Sequence, residues 1–189
     1  MKCLILGCGG SNGVPEINCD CFVCTNDSSY NKRTRSSIII ESSKGIRLLV
    51  DTSPDMRSQF LNHKINYING IIYTHSHYDH IGGIGDVKKL VRNKRKLNFH
   101  PFWQKVIDNK TIPAFLDEIT YDVLNKSFKF IFQGSSNGLY QPLLTPQVFQ
   151  GNFTFCDIEV MPFKQKHGDY FSYGFRFGDI AYSTDINQL

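Results

Sequence analysis

The stretch THSHYDH, residues 74–80, places four side chains that can bind a metal within six positions. They are three histidines and one aspartate, and imidazole nitrogens and carboxylate oxygens are ligands that zinc and similar divalent ions accept. The stretch follows an apolar run, so we predict a loop at a strand end, on which His75 and His77 can point to one ion. Asp79 and His80 can then turn to a second ion nearby. The alternative is that these histidines are exposed to solvent and bind no metal. Four potential ligands within six positions disfavour that alternative.

Length and composition describe an ordinary globular protein. The chain has 189 residues, of which 41% are hydrophobic and 20% charged, and this favours one folded domain over residues 1–189 rather than a disordered chain. The net charge of +4 suits an anionic substrate but does not by itself imply nucleic acid. No apolar stretch approaches the roughly 18 residues of a membrane span, and the opening apolar run stops at Gly7, too early for a signal peptide. We therefore expect a cytoplasmic protein without a membrane partner.

Short apolar runs separated by turn residues predict the secondary structure. The predicted strands cover residues 3–6, 36–41, 47–50, 70–74, 112–116, 128–132, 159–163, 173–177 and 180–183. Helices are predicted to begin near residue 54, to follow residue 83 and to cover 117–125. The alternation of strands and helices, with many hairpins, favours a layered α/β architecture.

Several motifs carry a resemblance to one superfamily. The pattern His-x-His-x-Asp-His within residues 74–80 resembles the signature of the metallo-β-lactamase superfamily. The loop LGCGGSNGVP, residues 6–15, looks like the N-terminal loop of its phosphodiesterase-like branch. CDCFVC, residues 19–24, resembles the structural zinc knuckle of phosphonate-pathway cyclic phosphodiesterases, and VDTSPD, residues 50–55, is similar to the acidic strand-end motif of that group. The resemblance covers most of the chain and implies a four-layer αββα sandwich.

The resemblance also implies which side chains hold two catalytic ions: His75, His77 and His167 the first, Asp79 and His80 the second, with Asp185 bridging the two. His167 follows an apolar strand, as the third motif of the superfamily does, and Asp185 lies at a strand end, as the bridging aspartate does. Taken alone, each has an ordinary alternative as a surface histidine or a turn aspartate. Asp51 is expected to orient the histidine loop through hydrogen bonds rather than to bind metal.

Cys19, Cys21 and Cys24 form a second candidate metal site. Such tight spacing in a cytosolic protein favours metal over disulfides, and three reduced thiols in a loop are the alternative. A closed tetrahedral zinc site needs a fourth ligand, which the resembled proteins supply as a histidine near their C-terminus. This chain has no histidine after His167, and the spacing of its other three cysteines does not favour them as substitutes.

The resembled superfamily usually continues for several dozen residues beyond the bridging aspartate, whereas this chain stops at Leu189. We therefore expect a fold that is incomplete at the C-terminus, with the last ligand of the second ion missing. A fragment, a natural truncation and a ligand supplied from elsewhere all fit this expectation. Strands within residues 173–183 would then lack neighbours and expose apolar surface.

The resemblance implies a metal-dependent hydrolase, and a phosphodiesterase acting on a small, cyclic or open phosphate ester fits best. Metal-bound hydroxide would attack phosphorus, and Asp79 would orient it as well as bind metal. The expected cofactors are two catalytic Zn²⁺ ions and one structural Zn²⁺, with Mn²⁺ as an alternative at the catalytic site. Relatives in this group often form homodimers, so a dimer is compatible with the resemblance.

Two rival functions remain open. A nuclease of the same superfamily would use a basic surface to follow a phosphate backbone, and a solvated helix face is the ordinary interpretation of that surface. The basic residues in question are Lys88, Lys89, Arg92, Lys94, Arg95 and Lys96. An inactive metal-binding remnant is the other rival, and the stoichiometry of bound metal would distinguish it.

Overall fold

The computed structural model describes residues 1–94 and 111–187. Within these ranges the strands are β1 (Lys2–Gly7), β2 (Ser37–Glu41), β3 (Arg47–Val50), β4 (Gly70–Ile72), β5 (Ile112–Leu116), β6 (Leu144–Val148), β7 (Phe153–Phe155), β8 (Ile158–His167), β9 (Tyr170–Phe177) and β10 (Ile180–Tyr182). The α-helices are α1 (Phe22–Thr25), α2 (Met56–Asn62), α3 (Tyr78–Ile81), α4 (Val87–Lys94), α5 (Glu118–Ser127) and α6 (Lys129–Gln133).

The strands form two sheets packed face to face. The larger sheet has the order β1-β2-β3-β4-β5-β6 and is antiparallel from β1 to β3 and parallel from β3 to β6. The smaller sheet is antiparallel in the order β10-β9-β8-β7. Leu49, Ile71 and Ala114 of the larger sheet pack in a cluster with the helices, whereas Leu48 and Ile72 pack against the smaller sheet. Because both faces of the central strands are covered, these strands are apolar throughout.

The layered α/β prediction is confirmed, with helices, the larger sheet and the smaller sheet stacked in that order. The fourth layer of the sandwich, on the outer face of the smaller sheet, is not among the described residues, and no described helix makes an extensive contact with that sheet. β10 lies at a sheet edge, as expected for the last strand. The expected exposure of apolar side chains does not occur at Phe175 and Phe177, which are fully buried between the sheets.

The strand predicted over residues 128–132 is wrong, because this segment forms helix α6. Phenylalanine at every second position suggested the alternation of a strand. In the structure the neighbouring residues Ile131 and Phe132 are buried together, while Phe130 is 54% exposed. Burial of two adjacent residues is the pattern of a short helix that packs one side against the core, so the period-two pattern was coincidental.

No helix in the described parts of the chain is both long enough and apolar enough to cross a membrane.

Candidate metal centre

Parallel strands bring the candidate site to one edge of the larger sheet. β3, β4 and β5 are parallel neighbours, and their carboxyl ends lead into Asp51, Thr74 and Asp117 respectively. In open α/β sheets this edge is where ligands commonly bind. After Thr74 the chain continues without regular secondary structure to His77, the residue immediately before α3. The site therefore lies where three strand ends converge.

The first predicted ligand set comes together in space. One ligand atom from each of its members lies within 4.8 Å of the others, and the members are His75, His77, His167 and Asp185. The Nε2 atom of His167 lies 3.2 Å from Nδ1 of His77 and 3.6 Å from Oδ2 of Asp185. Residues that lie far apart in the sequence thus surround one small volume.

The second predicted set, Asp79, His80 and Asp185, also meets within 4.8 Å. The Nε2 atom of His80 lies 3.2 Å from Oδ2 of Asp79 and 3.4 Å from Oδ2 of Asp185. Asp185 therefore belongs to both sets, and its Oδ2 atom is within 3.6 Å of Nε2 of His75 as well. This placement suits a carboxylate that bridges two ions.

Asp51 supports this arrangement through hydrogen bonds to Thr74 and His80. It is fully buried, and its carboxylate accepts hydrogen bonds from the backbone N–H and the hydroxyl of Thr74, both at 2.8 Å. It also accepts from Nδ1 of His80 at 2.7 Å, which leaves Nε2 of that ring facing the site. Its contacts therefore match the orienting role predicted for it.

The two buried histidines of the site, His75 and His80, have pKa values shifted in opposite directions. Burial, together with the neighbouring His80 and His77, lowers the pKa of His75 to about 3, so its imidazole is neutral at physiological pH. Burial also opposes a charge on His80, but the carboxylate of Asp51 and hydrogen bonds to Asp185, Asp51 and Asp79 outweigh it and raise its pKa to about 12. The carboxylates around His80 therefore favour its protonated form when no cation lies among them.

The donor set fits a divalent cation. The Nε2 atom of His75 is buried and has no hydrogen-bond partner among the described residues, although it points toward the other ligand atoms. A buried polar atom without a partner is costly, and a metal ion would satisfy it. Nitrogen and carboxylate donors of this kind suit zinc, manganese and iron.

The segment after β10 positions Asp185 by folding back over the β8–β9 hairpin. The hydroxyl of Ser172 donates to the backbone oxygen of Asp185 at 3.0 Å, and the amide of Gln165 donates to the hydroxyl of Ser183 at 2.6 Å. The backbone N–H of Asn187 donates to the carbonyl of Lys166 at 2.8 Å. The sequence contains no local signal for these tertiary contacts, and our sequence analysis missed them.

A glycine-rich loop, residues 7–15, reaches the same site. The side chain of Ser11 lies close to the carboxylate of Asp79 and helps to hold the pKa of that carboxyl below its usual value, against the effect of burial. Arg35 holds the loop by donating from Nε to the carbonyl of Ser11 at 3.3 Å, and its guanidinium pairs with Asp55 at 3.1 Å. Ser11 is thus a candidate positioning residue that the sequence analysis overlooked, since a serine in a glycine-rich loop is ordinarily a turn residue.

The three clustered cysteines form a separate group. Their sulfur atoms lie within 4.8 Å of one another, where Cys21 precedes α1 and Cys24 lies within it. The backbone N–H of Glu16 donates to Sγ of Cys24 at 3.3 Å, which ties the cluster to the glycine-rich loop. Among the described residues, no histidine, cysteine or carboxylate joins the group as a fourth ligand. Neither Cys3, Cys8 nor Cys156 is therefore the missing ligand in this structure.

Comparison with known proteins identifies the superfamily of this chain. Residues 46–189 match the family described as beta-lactamase superfamily domain. The chain belongs to this superfamily. The structure resembles a solved structure of a new diphosphatase from the PhnP family with a TM-score of 0.79 and 32% identity, over 95% of this chain and 63% of that chain. This places it near the PhnP branch of the metallo-β-lactamase-fold proteins.

Two further relatives are more distant or much longer. Zn²⁺-bound PqqB from Methylobacterium extorquens has a TM-score of 0.63 at 20% identity, over 96% of this chain and 61% of its own, and this supports the fold alone. A protein named octanoyltransferase from Porphyromonas gingivalis is 29% identical over all of this chain but only 35% of its own length. The chain spans about a third of the curated relatives that it matches.

Replacing Ser11 by alanine tests the importance of its contact with Asp79 at the candidate metal centre. We expect kcat of the metal-dependent hydrolysis proposed below, measured on bis-p-nitrophenyl phosphate, to fall about 10-fold, because partners that orient metal ligands typically contribute 10- to 100-fold. Bound metal per chain, measured by elemental analysis, should stay unchanged. Ser43→Ala, at an exposed turn remote from the loop, is the matched control. Equal kcat values for the two variants would contradict a positioning role for Ser11.

Cys21→Ser tests the cysteine cluster. If the cluster binds zinc, elemental analysis should find one zinc fewer per chain than in the unmodified protein, since a serine hydroxyl is a poor zinc ligand. Cys3→Ser changes an exposed cysteine outside the cluster and should leave the zinc content unaltered. Identical zinc content in both variants would mean that the three thiols are simply reduced.

Proposed function

We propose that the protein is a metal-dependent hydrolase that acts as a phosphodiesterase on a small phosphate ester. The observation that carries this proposal is the position of Asp185, whose single carboxylate oxygen lies within 3.6 Å of three imidazoles that belong to two ligand sets. Such a shared oxygen is expected where two ions lie a few Å apart, the arrangement used in displacements at phosphorus. The likeness to a diphosphatase at 32% identity supports phosphate chemistry.

Each protein group has a defined task in this proposal. Asp51 and Thr74 hold His80 in one orientation, and the neutral ring of His75 presents a free nitrogen to the site. Asp79, which lies beside Ser11, would orient the attacking water. Bound divalent ions would supply Lewis acidity and lower the pKa of water toward about 7. Zn²⁺ is the proposed ion, with Mn²⁺ as the alternative at the same site.

Assay of the full chain on bis-p-nitrophenyl phosphate with added Zn²⁺ or Mn²⁺ tests the proposal. Turnover should depend on the metal, should be removed by a chelator, and should be lost in His167→Ala. His63→Ala is the matched control, because His63 is exposed and lies outside the site. The proposal would be contradicted if a protein shown to contain two ions at the catalytic site gave no turnover. Binding of a single weak ion without turnover would instead favour an inactive metal-binding protein.

The structure adds little support for the nuclease alternative. Lys88 and Lys89 are exposed on α4, and Nζ of Lys88 lies 5.3 Å above the ring of Tyr140. The side chains of the remaining basic residues, within 92–96, lie outside the described parts of the chain. RNA binding that weakens steeply with salt would favour this reading, because each neutralised phosphate adds to the salt dependence.

A further inference from the structure

A cavity of about 290 Å³ lies at the end of the larger sheet that is remote from the metal centre. It is lined by residues from the start of β1, the end of β2, the start of β3 and the segment after α2. β3 leads from Arg47, which lines this cavity, to Asp51 beside the metal centre, a separation of about 13 Å along an extended chain. None of the candidate metal ligands among the described residues lines the cavity. Its volume is close to the lower limit of the range of about 300–1,000 Å³ typical of small-molecule sites, so it suits a small ligand.

The floor of the cavity is aliphatic. Ile39 belongs to the apolar cluster between the larger sheet and the helices, and Ile65 packs against that cluster. Leu4, on the edge strand β1, is 39% exposed and lines the same cavity. These three side chains offer apolar surface that a short hydrocarbon chain would cover, and covering it is favourable because apolar area is removed from water.

Two lysines at the cavity carry charges that no acidic side chain balances. The formally charged side chains of the cavity are Lys2, Lys64, Arg47 and Glu41. Nε of Arg47 donates to Oε2 of Glu41 at 2.5 Å, and its guanidinium lies 4.3 Å from the centre of the Tyr67 ring, so the arginine and the glutamate balance each other. In the described parts of the chain, neither Lys2 nor Lys64 takes part in an ion pair. An anionic group in the cavity would therefore meet two ammonium groups that have no acidic partner.

The backbone at Lys64 has a conformation in which glycine is usual. Its φ is 54°, and the N–H groups of Lys64 and Ile65 donate to the carbonyl oxygens of Leu61 and Phe60, the pattern that ends a helix with a left-handed residue. Glycine adopts this conformation without strain, whereas lysine does so at a cost. The structure thus holds an ammonium-bearing side chain at the cavity where backbone geometry alone would favour glycine, and backbone strain of this kind clusters at ligand-binding sites.

We propose that this cavity binds a small aliphatic carboxylate, with its chain on the aliphatic floor and its carboxylate between Lys2 and Lys64. A monoanion fits better than a phosphate for two reasons. The planar guanidinium of Arg47, which would suit a phosphate, is already paired with Glu41, and the carboxylate of Glu41 would repel a dianion more strongly than a monoanion. A neutral hydrocarbon would leave both ammonium groups unused. The site lies outside the reaction centre and does not depend on the proposed hydrolase activity.

Titration of hexanoate into the metal-loaded full chain, followed by the methyl NMR signal of Ile65, tests the proposal. The signal, assigned with the Ile65→Val variant, should shift as hexanoate binds. Lys2→Gln and Lys64→Gln should each weaken binding about 3- to 5-fold, the upper part of the range for an exposed ion pair, and the double variant about 10- to 25-fold. Acetate, which lacks the chain that covers the aliphatic floor, should bind at least about 10-fold more weakly than hexanoate.

Two further variants separate loss of binding from general effects. The matched control is the double variant Lys126→Gln with Lys129→Gln, which removes two exposed lysines outside the cavity and should bind hexanoate as the unmodified chain does. Lys64→Gly suits the left-handed backbone, so folding is retained while the ammonium is lost, and binding should weaken as in Lys64→Gln. Hexanoate held by the metal ions instead would depend on neither Lys2 nor Lys64.

Three outcomes would overturn the inference. They are an Ile65 signal that hexanoate does not shift, equal binding by the Lys2 and Lys64 double variant and the control double variant, and tighter binding of hexan-1-ol or hexyl phosphate than of hexanoate. Tighter binding of the alcohol would mean that the lysines play no part, and tighter binding of hexyl phosphate would identify a phosphate ligand instead. Failure to hydrolyse bis-p-nitrophenyl phosphate would contradict the proposed function but not this site, because no residue of the cavity takes part in the proposed reaction.

Discussion

Asp185→Asn is expected to lower kcat on bis-p-nitrophenyl phosphate by at least about 100-fold, the upper range for residues that only support a metal ligand. Its carboxylate oxygen is the atom shared by both ligand sets, so loss of its charge weakens both ion positions. Asparagine suits the test because the backbone of Asp185 is left-handed, with φ of 49°, and asparagine tolerates that conformation. The substitution therefore removes charge with little change in backbone strain.

Elemental analysis should find less than two catalytic ions per chain in Asp185→Asn, alongside the loss of turnover. The matched control is Asp179→Asn, because Asp179 is an exposed aspartate in the turn between β9 and β10. The control should retain both turnover and metal. Full metal content with unaltered kcat in the Asp185 variant would contradict the bridging role.

Asp51→Ala is expected to lower the free energy of unfolding by about 3–5 kcal/mol, the cost of removing one partner from a buried charged pair. The substitution leaves three donors without their acceptor: the N–H and hydroxyl of Thr74 and Nδ1 of His80. Asp51 also has a positive φ of 62°, which alanine adopts less readily. Urea unfolding of the chelator-treated protein measures this loss without any contribution from metal.

The control for the Asp51 experiment is Asp122→Ala, an exposed position on α5. Substitutions at such positions usually change stability by less than about 0.5 kcal/mol. A similar unfolding free energy for the two variants would mean that the buried network contributes little. Addition of Zn²⁺ before unfolding should increase the difference, since a misoriented His80 binds the ion less tightly and ligand binding stabilises the folded state.

Local patterns predicted most of the elements that carry the candidate site. β4 and the loop after it were predictable because an apolar strand and a run of ligands lie next to each other in the chain. The same holds for the cysteine cluster, whose members are only a few residues apart. The strand predicted at 128–132 failed because spacing alone does not distinguish a short helix from a strand when tertiary packing selects the buried residues.

The amino-acid sequence by itself determined the chemistry available to this protein: the ligand-rich loop at 75–80, the thiol cluster and, through resemblance, the candidates His167 and Asp185. Only the tertiary structure decided that the last two reach that loop, that Ser11 contacts Asp79 and that Lys2 and Lys64 line one cavity. The physical reason is distance along the chain. Ligands within one loop meet through local geometry, whereas His77 and His167 meet only because strand pairing and sheet packing bring together segments 90 residues apart.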